Sequence, residues 1–183
     1  MNREEALQLV KENISGPGLF QHMQAVEAIM RALAEVIQGD EYLWGICGLL
    51  HDIDFEKVKD NPEKHGIMAE GILRDKVDER IIRAIRAHNY ENTGTVPESA
   101  MERCLISADS VSGLLIASVL VMPSKKLKDL RLGTVRRKFR DADFARGCSR
   151  ERMLFCESIG IPRDKLLEIS LKALQAISDE LGL

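Results

Sequence analysis

Each of the four histidines of this 183-residue chain falls in an apolar stretch with helical character. Residues three, four and seven apart share one face of a helix. On that rule His22 lies with Ala25, Val26 and Ile29, His65 with Met68, Ala69 and Ile72, and His88 with Ile85, Ala84 and Ile81. His51 ends the run Cys47-Gly48-Leu49-Leu50 and is followed at once by Asp52. Asp109 has Leu105 and Ile106 a turn before it and Ile116 two turns after. Such a chain carries imidazoles and carboxylates inward, at a cost unless a partner satisfies them. A lone histidine on an apolar face is ordinarily a core residue bonded to a carbonyl, and Asp109 alone reads as a satisfied structural carboxylate. Four histidines and two aspartates make an odd core unless they converge, and a divalent ion is the partner that imidazole and carboxylate share.

The rest of the chain reads as helical. Asn2 with Glu5 has the form of a capping box for a helix to about Asn13. Ser15-Gly16-Pro17-Gly18 breaks the chain before a His22 helix that runs to about Gln38, and Asp40 caps the helix that delivers His51 and Asp52. Pro62 suits the first turn of a helix through Leu73, a further helix carries Ile81 to His88, and Asn89 to Pro97 reads as a loop. Ser99 caps an Asp109 helix that stops by Pro123. Ser149 caps a helix to Ile159, and Arg163 to Leu181 has a broad apolar face that includes Leu166, Leu167, Ile169, Ser170, Leu174 and Ile177. These last helices are expected to pack on the same core, within one domain over residues 1–183. No apolar stretch reads as long enough to cross a membrane, Leu114 to Met122 being the longest candidate.

A hydrophobic content of 45% supports a good core, and a net charge of -3 argues against general nucleic-acid binding. Cys47, Cys104, Cys148 and Cys156 show no CxxC spacing. The first two read as small core residues, the last two as exposed or half-buried thiols, and no disulfide framework is implied. Met1-Asn2-Arg3-Glu4-Glu5 lacks the apolar run of a signal peptide, so a cytoplasmic protein is expected. Lys125, Lys126, Lys128, Arg131, Arg136, Arg137, Lys138 and Arg140 form a basic segment in this acidic chain. It is a solvated surface, or a set of cations, with Arg136 and Arg137 among them, that folds back over the cleft to hold an anionic substrate, or, third, a nucleic-acid contact for which Phe139 and Phe144 make a thin aromatic complement. Nothing in the sequence specifies an oligomeric state.

The order His22, His51-Asp52, Asp109 resembles the H…HD…D signature of the HD superfamily of metal-dependent phosphohydrolases, over about Leu19 to Met122. The resemblance implies an all-α fold: an HD-domain helical bundle with core about 19–122 and a C-terminal helical extension about 123–183. It implies that His22, His51, Asp52 and Asp109 hold a divalent ion, with manganese, iron, zinc, cobalt, nickel and magnesium all open. The chain is also similar to the six-ligand, HDIG-type subset, in which His65 and His88 join a second site bridged by Asp52. That subset's HD-GYP members carry paired histidines where this chain reads His88-Asn89, and an amide oxygen is the weaker donor. His65 and His88 are therefore candidates either for a second ion or for contact with substrate phosphate. Asp54, where HDIG sequences have glycine, reads as a loop charge or helix cap.

The expected activity is hydrolysis of a small phosphorylated substrate, a nucleotide among the candidates, by metal-activated water. Asp52 is the expected catalytic ligand, Lys57 steadies the phosphate, and His88 or His65 protonates the leaving oxygen. A catalytically silent signalling module and a di-iron oxygenase are the other classes that the resemblance leaves open.

Overall fold

The computed structural model describes residues 1–183, and every regular element in it is a helix. Helix α1, Arg3–Asn13, starts at the Asn2/Glu5 capping box. Helix α2, Pro17–Val36, has Pro17 in its first turn and buries Met23, Val26, Ile29, Met30 and Leu33. Asp40 caps α3, Glu41–Leu50, in which every residue from Trp44 onward is buried.

Helices α2 and α3 form the most extensive packing pair. Glycine lets them approach: a Cβ at Gly48 would sit 2.8 Å from the Val26 carbonyl oxygen and 3.0 Å from the Glu27 backbone nitrogen. Glu27, only 3% exposed, is tolerated there because Arg3 Nε (2.7 Å) and Arg31 Nη2 (2.8 Å) bond its carboxylate.

Four shorter helices follow: α4, Phe55–Val58; α5, Ile67–Leu73; α6, Glu79–His88; and α7, Tyr90–Thr93. Two differ from the sequence reading. Pro62 opens only a short 3-10 turn over Pro62–Lys64, because Gly66 breaks the helical path at φ 84° before α5 begins. Its added Cβ would also press on the Ile85 carbonyl oxygen at 3.0 Å. The expected loop after His88 contains α7, ended by Gly94 in the left-handed region.

Helix α8, Ala100–Leu120, starts at the Ser99/Glu102 capping box and packs on α2 and α6. It corrects the expectation about apolar length. With 21 residues and a mean hydropathy of 1.5 over its best window it is long and apolar enough to span a bilayer, yet 67% of that window is buried among other helices. It is a core helix.

The basic segment folds as α9, Leu132–Arg140, with Val135 and Phe139 inward. Helix α10, Arg150–Met153, runs into a 3-10 stretch, Leu154–Ile159, instead of one helix from Ser149. Helices α11, Arg163–Ala176, and α12, Ser178–Leu181, complete the chain, α11 lying against α2, α8 and α9. A continuous hydrophobic core joins Val26, Leu49, Leu105 and Leu114 to Leu166, Leu167 and Leu174. Cys156 lies within it, buried, contrary to its reading as an exposed or half-buried thiol.

Arg150 organises the turn between α9 and α10. Its guanidinium donates to six carbonyl oxygens, those of Lys138, Phe139, Asp141, Phe144, Ala145 and Cys148, at 2.6–3.1 Å. Arg150→Met is expected to cost about 3 kcal/mol, since bonds to a charged donor are each worth more than neutral ones. A denaturation midpoint within experimental error of the parent protein would refute this.

Candidate metal centre

Helix α2 contributes His22, the turn after α3 contributes His51 and Asp52, the stretch before α5 contributes His65, the last residue of α6 is His88, and α8 carries Asp109. Asp52 lies at the middle. Its Oδ1 is 3.3 Å from His51 Nε2, 3.3 Å from His65 Nε2 and 3.6 Å from His88 Nε2, while Oδ2 is 3.6 Å from His22 Nε2. Asp109 Oδ1 adds a contact to His22 Nε2 at 3.3 Å. The ligand atoms form two groups, His22/His51/Asp52 and Asp52/His65/His88, each within 4.8 Å and sharing Asp52.

The far side of each ring determines what these atoms can do. His51 Nδ1 lies 2.8 Å from the Gly48 carbonyl oxygen, and His88 Nδ1 meets that of Ile85. A carbonyl only accepts, so both Nδ1 atoms carry hydrogen. His65 Nδ1 donates to Asp54 Oδ1 at 2.8 Å. Ser112 Oγ gives its own hydrogen to the Asp109 carbonyl at 2.8 Å and therefore accepts from His22 Nδ1 at 3.0 Å. In the neutral rings, then, all four Nε2 atoms present lone pairs to one another, 3.2 Å apart for His22 and His51 and 2.9 Å for His65 and His88. Lone pairs at that separation repel unless a cation or a shared proton lies between them, and this anchoring of the outer nitrogen is how metal-binding histidines are held.

Electrostatics agree. Burial raises the proton affinity of Asp52, but the charge and hydrogen bond of His51, with the bonds of His65 and His88, outweigh it and hold the carboxyl well below its usual range. Burial acts likewise on Asp109, yet the bond and charge of His22 bring it to about 2. For His65 burial works downward, and the bonds and charges of Asp52 and Asp54 overcome it, lifting the imidazole to about 9. His51 is raised for the same reason: burial is outweighed by Asp52. His88 is lowered by burial, with the charges of His65 and His51 adding to that effect.

A pH dependence follows. Without an ion, protonated His65 stabilises the cluster; that contribution is complete below its ordinary value near 6.5 and is lost as pH rises through about 9. An incoming cation must displace the proton, so apparent metal affinity should climb toward pH 9, by up to ~10-fold per unit for one proton, and then level. Competition with a chelator across that range measures this, and a flat profile would contradict it.

Asp54 departs from its reading as a loop charge. It is fully buried and, besides His65, its Oδ2 accepts from the backbone nitrogens of Gly66 (2.8 Å) and Ala69 (2.9 Å). Three buried donors explain why a carboxylate is held there. Asn89 is buried too, but its amide nitrogen is spent on the carbonyls of Pro62 and His65, and its oxygen accepts from Asn92. It braces the His65 segment.

The cluster opens into a cleft of about 450 Å³, whose walls include His22, Asp52, His65, His88, Asp109, Phe55, Ser110, Cys148, Ser149 and Arg152. A larger hollow of about 780 Å³ borders α5 and α6, but none of the cluster residues lines it, and its Arg83 and Arg86 are paired with Glu98, Glu102 and Glu70. The expected phosphate-holding cations are not brought to the cleft. Lys57 Nζ bonds the Asn13 side chain on α1, Arg136 pairs with Asp164 of α11 at 3.1 Å, and Arg137 is exposed on α9. The physical reason is that α9 buries Val135 and Phe139 against the core, which commits its basic face to α11 and solvent.

Sequence reading missed Ser112, although it stands one turn after Asp109 on the same helical face. It also missed Arg152, for which a short helix far along the chain offers no signal. Residues 19–117, more than half of the chain, match the model of the HD domain family. The chain belongs to that family, whose members are in general metal-dependent phosphohydrolases. A comparison with curated proteins found no match, and neither did one with solved structures.

Proposed function

We propose that this chain hydrolyses an ester of a small phosphorylated molecule, a nucleotide among the candidates, with water as nucleophile and a divalent ion as cofactor. The observation that carries the reading is the convergence of four lone-pair nitrogens on Asp52 at the floor of an open cleft. The donor set fits such an ion: imidazole and carboxylate suit zinc, iron, manganese, cobalt and nickel better than they suit magnesium. His22, His51, Asp52 and Asp109 would hold one ion, and Asp52, His65 and His88 a second. Bound there, the metal lowers the proton affinity of water and polarises a phosphoryl oxygen.

The chain's own residues do the rest. Ser112 and Asp54 fix the rings of His22 and His65, and the Gly48 and Ile85 carbonyls fix those of His51 and His88. In hydrolysis water gives up a proton to solvent as its oxygen bonds to phosphorus, the ester phosphorus–oxygen bond breaks, and the departing oxygen takes up a proton. In a one-ion form His65, held protonated by Asp52 and Asp54, supplies that proton from Nε2, while His88, whose proton affinity burial lowers, is the weaker candidate; in a two-ion form solvent supplies it. Four free cysteines suit a reducing compartment, and we assign the protein to the cytoplasm on that basis.

The test is to reconstitute the purified chain with each ion and assay a panel of phosphomonoesters and phosphodiesters without oxygen. Ion-dependent hydrolysis that a chelator abolishes is expected. Retention of iron with oxygen consumption and no hydrolysis would assign oxygen chemistry instead, and failure to retain any ion would assign a binding module.

A further inference from the structure

Arg152 is the only lysine or arginine that lines the cleft. It stands on α10, its side chain only 17% exposed, and it is held on both sides. Nη2 donates to the His88 carbonyl at 2.6 Å and lies 3.5 Å from Asp109 Oδ2; Nη1 donates to Glu91 Oε2 at 2.7 Å. The guanidinium also lies over the Tyr90 ring, 5.7 Å from its centre. A guanidinium has five N–H groups in a fixed fork, and those two hydrogen bonds use one from each terminal nitrogen. The second Nη2 hydrogen has the Asp109 carboxylate beside it, while the Nε hydrogen and the second Nη1 hydrogen make no hydrogen bond within the protein. The bond to the His88 carbonyl also fixes the distance between this cation and the imidazole cluster.

We propose that Arg152 grips the phosphoryl group of the substrate and that the substrate is a phosphate monoester. The inference rests on the hydrolase reading above and adds the substrate class to it. Charge selects the class. Asp52 and Asp109 on the cleft walls and Glu91, bonded to Arg152, stand against one arginine, so one divalent ion leaves no net charge and two ions leave two positive charges. A monoester, a dianion above pH 6 or so, is matched by the two-ion balance. A triphosphate carries about four negative charges and would need further cations that the walls do not offer. Ser110 and Ser149 offer hydroxyls for hydrogen bonds, and the half-exposed ring of Phe55 gives apolar surface for the alcohol part.

The experiment uses the ion-loaded full chain. Among the mono-, di- and triphosphates of one nucleoside, the monophosphate should show the highest kcat/KM. Arg152→Gln should raise KM for it roughly 10- to 100-fold, the worth of charge-assisted bonds, with kcat changed less. Inhibition by inorganic phosphate should weaken by the same factor, whereas metal content, and inhibition by fluoride, which needs only the ion, should stay constant. Arg152→Lys keeps the charge and loses the fork, so it should give a smaller rise in KM; it also serves if the glutamine variant fails to fold. Phosphate inhibition unchanged in both ion-replete variants, or a preference for the triphosphate, would overturn the proposal. Calorimetric binding of inorganic phosphate separates the two readings. Binding that depends on Arg152 without hydrolysis of any ester would sink the hydrolase reading and leave the grip standing; hydrolysis with phosphate affinity indifferent to Arg152 would do the reverse.

Discussion

Asp52→Ala is expected to remove ion binding and hydrolysis together, with turnover down roughly 10³-fold or more, about 4 kcal/mol of barrier. Asp52 belongs to both ligand groups, and its two oxygens lie within 3.3–3.6 Å of four imidazole nitrogens. Without it the nitrogens keep their mutual repulsion and lose the negative charge that a cation needs beside it. The fold should survive, because the carboxylate sits in the turn after α3 and contributes nothing to the hydrophobic core. Asp52→Asn separates charge from shape: it fills the same volume, and it too should fail to retain the ion. Helical circular dichroism, metal content and turnover are the measurements. Unchanged turnover in a folded Asp52→Ala protein would end the metal-centre reading.

Gly48→Ala should damage stability and site at once. Its new methyl would meet backbone of α2, with the Val26 carbonyl oxygen at 2.8 Å and the Glu27 Cα and nitrogen at 3.0 Å, and backbone cannot rotate aside. The helices must separate, at a cost of about 2–3 kcal/mol and a loss of roughly 4–12 °C in Tm. The same movement would draw His22 on α2 away from His51, whose Nδ1 is anchored on the Gly48 carbonyl. Metal affinity should therefore fall in the folded fraction as well. Gly71→Ala is the control, since nothing lies within 4 Å of its added methyl within α5. It should raise stability by about 0.5–1 kcal/mol through helix propensity. Equal Tm values for the two variants would show that close approach of α2 and α3 is not what Gly48 provides.

The contrast between His51 and Asp54, three residues apart, shows how much of the site could be read from residue order. His51-Asp52 follows an apolar helix, and that pattern alone points inward. Asp54 has the same composition signal as any turn carboxylate, and only the approach of Gly66 and Ala69 turns it into a buried anchor for His65. The basic segment went the other way. Its charge was evident, but its direction depended on which side chains of α9 found the core, and that packing commits its basic face to α11 and solvent. Arg152 reaches the cleft only because α10 packs against α8, and residue spacing holds no trace of that contact.

What residue order determined by itself was local: helix starts at Asn2, Asp40 and Ser99, the apolar faces, and the histidines and aspartates carried on them, because capping and periodicity act within a few residues. What only the tertiary structure decided was which distant groups meet. The Nδ1 partners of His22 and His65, the single arginine in the cleft and the glycine contact between α2 and α3 depend on positions set by the packing of whole helices, and that packing is a property of the folded chain.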